Sequence, residues 1–273
     1  MVRLAVSSMF FHEYPIDEIF ASVDEAGLTG IEFWIETPHF WLRDLPTGDL
    51  NAAVHAHPSL APITVHAPVL DLNPCSINPR VAAASQQYAV EAVALAEEAG
   101  AEVVTVHPGR RTAKRTPSAY DYERFEAYLA RLHEAAKGRR VRVAIENMEP
   151  KVNSLLCTPE GVREVLDANP WLDFTFDVAH AMSVSAGEVC RYIDLCIDRI
   201  VNVHLSAVEN GKMHLQVRGN QEAAAVVRAL TRAGYDGCLT LEIEDRNFTH
   251  PLSLEEKITL LQGERTFLEG CLS

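Results

Sequence analysis

The feature that most constrains the fold is a regular alternation of short apolar runs with longer helical patterns. Eight runs are predicted as strands, at residues 3–8, 30–35, 62–67, 101–107, 141–147, 173–178, 200–205 and 238–243. Most are nearly continuous apolar segments, which is typical of parallel strands covered on both faces. The segments between them are typical of helices, such as the alanine-rich stretch 81–100 that ends on a glycine.

A weak internal repeat supports one architecture for the whole chain. Segments 23–33 and 230–244 each end a helix on Ala-Gly, make a short turn and enter a strand. Eight parallel strands with this repeat favour a closed (β/α)8 TIM barrel over an open doubly wound sheet. No linker or composition break interrupts the 273 residues. We therefore expect a single TIM-barrel domain, residues 1–273, with a parallel eight-stranded core of the α/β class.

Composition limits the expected cellular location of the protein and the classes of partner that it can bind. No apolar run approaches the roughly 18 residues needed to span a membrane, and the scattered cysteines form no CxxC pair, as expected for reduced cytoplasmic thiols. The net charge of −14 disfavours general attraction to nucleic acid. The sequence thus predicts a cytoplasmic protein with a small-molecule partner and no membrane partner. It leaves assembly as a homo-oligomer open.

Reactive side chains stand where six consecutive predicted strands end. In a TIM barrel these ends surround one mouth, where the active site lies. The residues are His66, His107, Glu146, Asp177 (followed by His180), His204 and Glu242. All are ligand types for Zn²⁺, Mn²⁺ or Mg²⁺, and three clustered carboxylates without a cation would repel one another. The sequence therefore predicts a divalent metal centre with at least one ion.

The motifs TVHAP, TVHPG, AIENMEP, FDVAH, NVHLS and LTLEIED, in this order, resemble those of the xylose-isomerase-like TIM-barrel superfamily. The resemblance covers nearly the whole chain. This superfamily contains sugar isomerases and epimerases, and also the endonuclease IV family of abasic-site nucleases. Members similar to ketose 3-epimerases hold one divalent ion with Glu, Asp, His and Glu. The resemblance places these ligands at Glu146, Asp177, His204 and Glu242.

The endonuclease IV pattern of nine ligands for three zincs is matched at all positions but one. The eight matches are His66, His107, Glu146, Asp177, His180, His204, His214 and Glu242. The ninth ligand, an aspartate, falls on Lys212, whose ammonium reverses the charge beside His180 and His214. The resemblance therefore implies a weak or absent third ion. His66 and His107 could hold a second ion with Glu146, or line the pocket as neutral groups.

The resemblance implies two chemistries. The favoured one is a metal-dependent sugar or sugar-phosphate isomerase or epimerase, working through an enediolate with Glu146 and Glu242 as acid and base. The alternative is an endonuclease IV-like zinc phosphodiesterase, for which the basic segment 110–115 is the best phosphate-binding feature. A metal-binding barrel without catalysis is a third, less favoured reading.

Further residues are predicted to contact substrate. Lys212 or His180 could meet substrate oxygens, and Arg218 precedes a helix whose start near Asn220 is a candidate phosphate site. Glu149 and Glu32 could bind hydroxyl groups. Trp34 could pack against the apolar face of a sugar.

Overall fold

The computed structural model describes residues 2–273 and confirms the closed parallel barrel. Each neighbouring pair of barrel strands is parallel, and the first strand pairs with both the second and the last. The barrel strands are β1 (Arg3–Ser7), β2 (Gly30–Trp34), β3 (Ile63–His66), β4 (Val103–Val106), β5 (Arg142–Glu146), β6 (Asp173–Asp177), β7 (Ile200–Leu205) and β10 (Cys238–Leu241). All eight predicted strands are present; β7 keeps its predicted bounds, and the other seven are slightly shorter. Organisation as a single domain stays a prediction.

Helices cover the outside of the barrel. They are α1 (Ile16–Glu25), α2 (Pro38–Trp41), α3 (Thr47–Ala56), α4 (Pro79–Glu98), α5 (Ala119–Ala136), α6 (Pro159–Ala168), α7 (Val178–Met182), α8 (Ala186–Cys196), α9 (Gln221–Arg232) and α10 (Leu254–Leu272). Their starts follow from local chemistry. Asn220 caps α9, and Ser253 with Glu256 forms a capping box at α10. None of the described helices is long and apolar enough to cross a membrane.

Alternation along the strands separates an apolar layer from a polar interior. Successive strand residues point to opposite faces, so Phe33 and Val203 belong to the large apolar cluster. Their neighbours Glu32, Asn202 and His204 are also buried, and Asn202 and His204 both hydrogen-bond to Glu32. The interior of the barrel is therefore a polar layer, and it lies directly below the mouth.

A two-stranded hairpin after β7 was not predicted. It consists of β8 (Ala207–Glu209) and β9 (Lys212–Leu215), which pair antiparallel. Asn210 and Gly211 form its turn, with φ of 52° and 75°. Asn-Gly is a strong signal for this kind of turn, so the hairpin was predictable from the sequence. The hairpin carries His214 to the barrel mouth, where its Nδ1 lies 3.4 Å from Oε2 of Glu242.

Candidate metal centre and active site

The six reactive strand-end residues converge at the carboxyl-terminal mouth of the barrel. Ligand atoms of one set all lie within 4.8 Å of one another, and a second set meets the same limit. The first set is Glu146, Asp177, His204 and Glu242, and the second is His66, His107 and Glu146. All are buried except His107, which is partly exposed. The predicted grouping is therefore present in the structure.

Glu146 at the end of β5 belongs to both sets. Its Oε2 lies 2.9 Å from Nε2 of His107 and 3.4 Å from Nε2 of His66. Its Oε1 lies 3.4 Å from Nδ1 of His204. Burial by itself would raise the pKa of Glu146, but the neighbouring charges of His107 and His204 outweigh it and hold this pKa well below its usual range. Glu146 thus bridges two candidate cation positions.

His204 and Glu242 form the other side of the centre. Nδ1 of His204 lies 3.6 Å from Oε2 of Glu242, and Nδ1 of His214 lies 3.4 Å from the same oxygen. Burial would lower the pKa of His204, yet the carboxylates of Glu32, Glu242 and Glu146 raise it well above its ordinary value. In the absence of a cation, these imidazoles balance the carboxylate charge.

Asp177 ends β6 and caps the short helix α7. Its Oδ1 accepts a hydrogen bond of 2.6 Å from the backbone N–H of His180. Burial raises the pKa of Asp177 to about 7, with the carboxylates of Glu242 and Glu146 adding to the shift and His180 opposing it. Burial of the charged form of this carboxylate is therefore energetically unfavourable unless a cation lies beside it.

Asn147 is a site residue that the sequence analysis missed. Its side chain donates to the carbonyl of Asp177 at 2.9 Å and accepts from the Asp177 N–H at 2.8 Å. Its own carbonyl lies 2.8 Å from Nδ1 of His180. Asn147 therefore ties the end of β5 to the end of β6. Its position directly after Glu146 was the only available signal.

The donor set fits a divalent cation. Oδ2 of Asp177 and Oε2 of Glu242 are buried and accept no hydrogen bond from any residue between 2 and 273. Buried unpaired carboxylate oxygens are costly, and a bound cation removes that cost. Three carboxylates with one imidazole suit Mn²⁺, Mg²⁺ or Zn²⁺. The cluster could therefore hold a metal ion.

Of the three residues at the predicted third-zinc positions, two lie beside the cluster and one is exposed to solvent. The rings of His180 and His214 lie with their centroids 6.2 Å apart, in an edge-to-face arrangement beside the cluster. Lys212, two residues before His214 on β9, is exposed. The hairpin therefore contributes an imidazole to the mouth, while the ammonium has access to solvent.

Two cavities lie among the loops at the carboxyl-terminal end of the barrel, and residues of the centre line one of them. Glu149 lies at the rim of one of about 170 Å³ that His107 and His180 also line, and it pairs with Lys151 at 2.6 Å. Trp34 lines the other, of about 630 Å³, between the loops that follow β1, β2 and β10. Both placements are compatible with the predicted contacts to substrate.

Two predicted substrate residues lie in unfavourable positions. Glu32 is fully buried below His204, so it has no access to a substrate at the mouth. The backbone N–H groups of Val217 and Arg218 already donate to Glu264, at 3.0 and 2.8 Å. The Asn220 side chain fills the cap of α9. These contacts do not favour phosphate binding at Arg218, because the donors that would hold a phosphate are used within the protein.

Comparison with known proteins agrees with the fold. A family model described as a xylose isomerase-like TIM barrel matches residues 20–264. An uncharacterized protein of Methanocaldococcus jannaschii is 32% identical over 275 residues, which is 100% of both chains. Fructoselysine 3-epimerase of Shigella flexneri is 23% identical over 87% of this chain and 88% of its own length.

Solved structures share the fold at lower identity. A D-tagatose 3-epimerase-like protein superposes with a TM-score of 0.77 at 24% identity, covering 100% of both chains. L-ribulose 3-epimerase gives 0.80 at 22%, over 100% of this chain and 95% of its own. Endonuclease IV from Thermus thermophilus gives 0.72 at 19%, over 98% and 99%. Because the family model matches most of the chain and the 32% identical relative aligns over its whole length, this chain belongs to the xylose isomerase-like TIM-barrel family.

Proposed function

We propose that the protein is a divalent-metal-dependent epimerase or isomerase acting on a sugar with a carbonyl next to a hydroxyl-bearing carbon. The observation that carries the proposal is the convergence of Glu146, Asp177, His204 and Glu242 at the barrel mouth. The names of the epimerase relatives support the same class of reaction.

The four residues would hold the ion, which supplies Lewis-acid polarisation of the substrate carbonyl and adjacent hydroxyl. Epimerisation then requires that a proton leave the neighbouring carbon on one face and return on the other. Glu146 ends β5 and Glu242 follows β10, and these strands are separated by β6 and β7 in the barrel order. One carboxylate can therefore remove the proton while the other, on a different side of the mouth, returns it.

Imidazoles surround the two proposed acid-base groups. Nε2 of His107 and of His66 lie 2.9 and 3.4 Å from Oε2 of Glu146, and Nδ1 of His66 lies 2.8 Å from the Ala67 carbonyl. Nδ1 of His214 lies 3.4 Å from Oε2 of Glu242. Each carboxylate therefore has an imidazole at ion-pair distance, which favours its charged, proton-accepting form.

The cavity lined by Trp34 is the proposed position for the rest of the sugar. Its walls combine the indole ring with His12, whose ring centroid lies 5.4 Å from that of Trp34, and with Phe248. An aromatic face suits the C–H face of a sugar, and the rim carboxylates Glu244 and Asp245 offer acceptors for hydroxyl groups.

A direct test follows deuterium from solvent into substrate. The Mn²⁺-loaded protein would be incubated in D₂O with a panel of ketopentoses and ketohexoses, and NMR would detect deuterium on the carbon beside the carbonyl. We expect exchange and formation of the epimer, reduced about 100-fold or more in Glu146→Gln and Glu242→Gln. Glu209→Gln, which changes an exposed hairpin carboxylate, should retain the wild-type rate.

An endonuclease IV-like phosphodiesterase is the second candidate, and the set of His66, His107 and Glu146 favours it because it offers a second cation position. Lys212 opposes it, because an exposed ammonium replaces a ligand carboxylate. Metal-dependent incision of a duplex with one abasic site, lost in Glu242→Gln, would overturn the epimerase proposal if no sugar in the panel exchanged deuterium.

A further inference from the structure

We infer that Glu32 is a positioning residue that fixes the ring of His204, so that Nδ1 faces the metal centre. This role rests on the proposed metal centre, but it makes a separate statement about a residue that no substrate can reach. Glu32 and His204 lie 172 positions apart in the chain, and both are buried, at 0% and 1% exposure.

The two nitrogens of His204 have different surroundings. Both oxygens of Glu32 lie 3.0 Å from Nε2. Nδ1 points the other way, 3.4 Å from Glu146 and 3.6 Å from Glu242. A carboxylate accepts hydrogen bonds, so it keeps a ring proton on Nε2. A cation bound between Glu146 and Glu242 would then take the lone pair of Nδ1.

A chain of hydrogen bonds holds Glu32 in turn. Asn202 donates to its Oε2 at 2.9 Å, and the side-chain oxygen of Asn202 accepts from Thr240 at 2.8 Å. Thr64 donates to Oε2 at 3.4 Å. Glu32 is thereby attached to β3, β7 and β10, and it cannot turn away from His204 without breaking these bonds.

The chemistry of Glu32 suggests more than a core hydrogen bond. A neutral side chain would accept from Asn202 and His204 at a smaller desolvation cost than a carboxylate. Nε2 has one hydrogen for two nearby oxygens, and Oε1 accepts no hydrogen bond from any described residue. A cation held by His204 would offset this charge through the ring, as in carboxylate–histidine–metal arrangements.

The test uses Glu32→Gln in the full chain. An amide oxygen in place of Oε2 can still accept from Asn202 and His204, but glutamine carries no negative charge to offset a cation held by His204. We expect the affinity for Mn²⁺, measured by isothermal titration calorimetry, to fall about 10- to 100-fold. In wild-type protein labelled with ¹⁵N-histidine and loaded with Zn²⁺, NMR should show the His204 proton on Nε2 and a zinc-shifted Nδ1.

Thr105→Val is the matched control. Thr105 and Thr175 form a buried hydrogen bond of 2.9 Å inside the barrel, and neither hydroxyl group bonds to Glu32 or His204. This variant should lose stability and keep the wild-type Mn²⁺ affinity. If Glu32→Gln fails to fold, the wild-type NMR spectrum still decides, because a proton on Nδ1 of zinc-loaded His204 would overturn the inference.

The outcomes separate this inference from the proposed function. Mn²⁺ affinity within about twofold of wild type in a folded Glu32→Gln protein would overturn the role of Glu32 alone. Reduced Mn²⁺ affinity in Glu32→Gln, together with a wild type that exchanges no sugar proton, would support the role of Glu32 and overturn the epimerase proposal. A wild-type protein that binds no divalent ion would overturn both proposals.

Discussion

His214 and Lys212 stand two residues apart on β9 and have different chemical roles. The backbone of His214 has φ of 58°, and its Nδ1 lies near Glu242. Burial would lower the pKa of His214, but the Glu242 carboxylate raises it to about 9. Lys212, by contrast, is exposed to solvent. At the residue scale, the hairpin therefore gives Glu242 an imidazole partner without supplying the aspartate that the three-zinc pattern has at position 212.

Lys212→Asp tests whether one charge separates the two ligand patterns. A carboxylate beside His214 and His180 would supply the missing type of donor, so we expect zinc content to rise by about one ion per chain. Elemental analysis after dialysis against zinc-containing buffer measures this. Lys114→Asp, in the basic segment after β4, should not change zinc content. Equal zinc in Lys212→Asp and wild type would show that the hairpin holds residue 212 out of reach.

Glu264 illustrates a buried carboxylate with a structural task. Its Oε2 accepts from the N–H groups of Val217 and Arg218, and burial raises its pKa despite those bonds. Glu264→Ala removes the acceptor of both N–H groups and should lower the free energy of unfolding by about 1.5–3 kcal/mol. Glu264→Gln keeps one oxygen for both donors and should lose less. Urea denaturation compares them, and equal losses would contradict the hydrogen-bond account.

At the element scale, Lys257 on α10 joins two loops of the barrel mouth. Its ammonium donates to the Phe10 carbonyl and to Asp245, the latter at 2.8 Å. It also lies 4.5 Å from the centroid of the Phe10 ring and 5.8 Å from that of Tyr14. These contacts connect α10 to the loops after β1 and β10, which border the cavity lined by Trp34.

Lys257→Met should loosen both loops. Methionine fills the space but leaves the Phe10 carbonyl and Asp245 without the ammonium, so we expect faster amide hydrogen exchange in residues 8–14 and 244–251. Mass spectrometry on peptic fragments measures the rates. Lys137→Met, at the exposed end of α5, provides the control. Unchanged exchange in the two loops would mean that their other contacts suffice.

At the scale of the whole molecule, closure of the barrel brings the carboxylates of the mouth together, and only the folded chain does so. A divalent ion that binds the folded state alone should stabilise it by about 2.7 kcal/mol at 100 times its dissociation constant. We expect Mn²⁺ to raise Tm in calorimetry, EDTA to reverse the rise, and the double variant Asp177→Asn with Glu242→Gln to abolish it. If Mn²⁺ raised the Tm of that variant as much as that of the wild type, the ion would bind at another site.

The fold and most of the mouth residues were predictable because they rest on local information. A buried parallel strand is a short apolar run, and the residue that ends it, such as His66 or Asp177, occupies the mouth in any closed barrel. The hairpin was also predictable from Asn210 and Gly211. The role of Asn147 was not predictable, because a buried asparagine beside Glu146 carries no local sign of its partner on β6.

The sequence by itself determined the eight strands and the His, Asp and Glu residues at their ends, because each depends on periodicity within a few residues. Closure of the sheet pairs β1 with β10, far apart in the chain, so the sequence favoured it and the tertiary structure decided it. Only the tertiary structure decided that Glu32 lies beneath His204, which nitrogen faces Glu146, and that Glu264 occupies the N–H groups before α9. Those contacts join residues between 46 and 172 positions apart. They depend on strand register and helix docking, which no local pattern specifies.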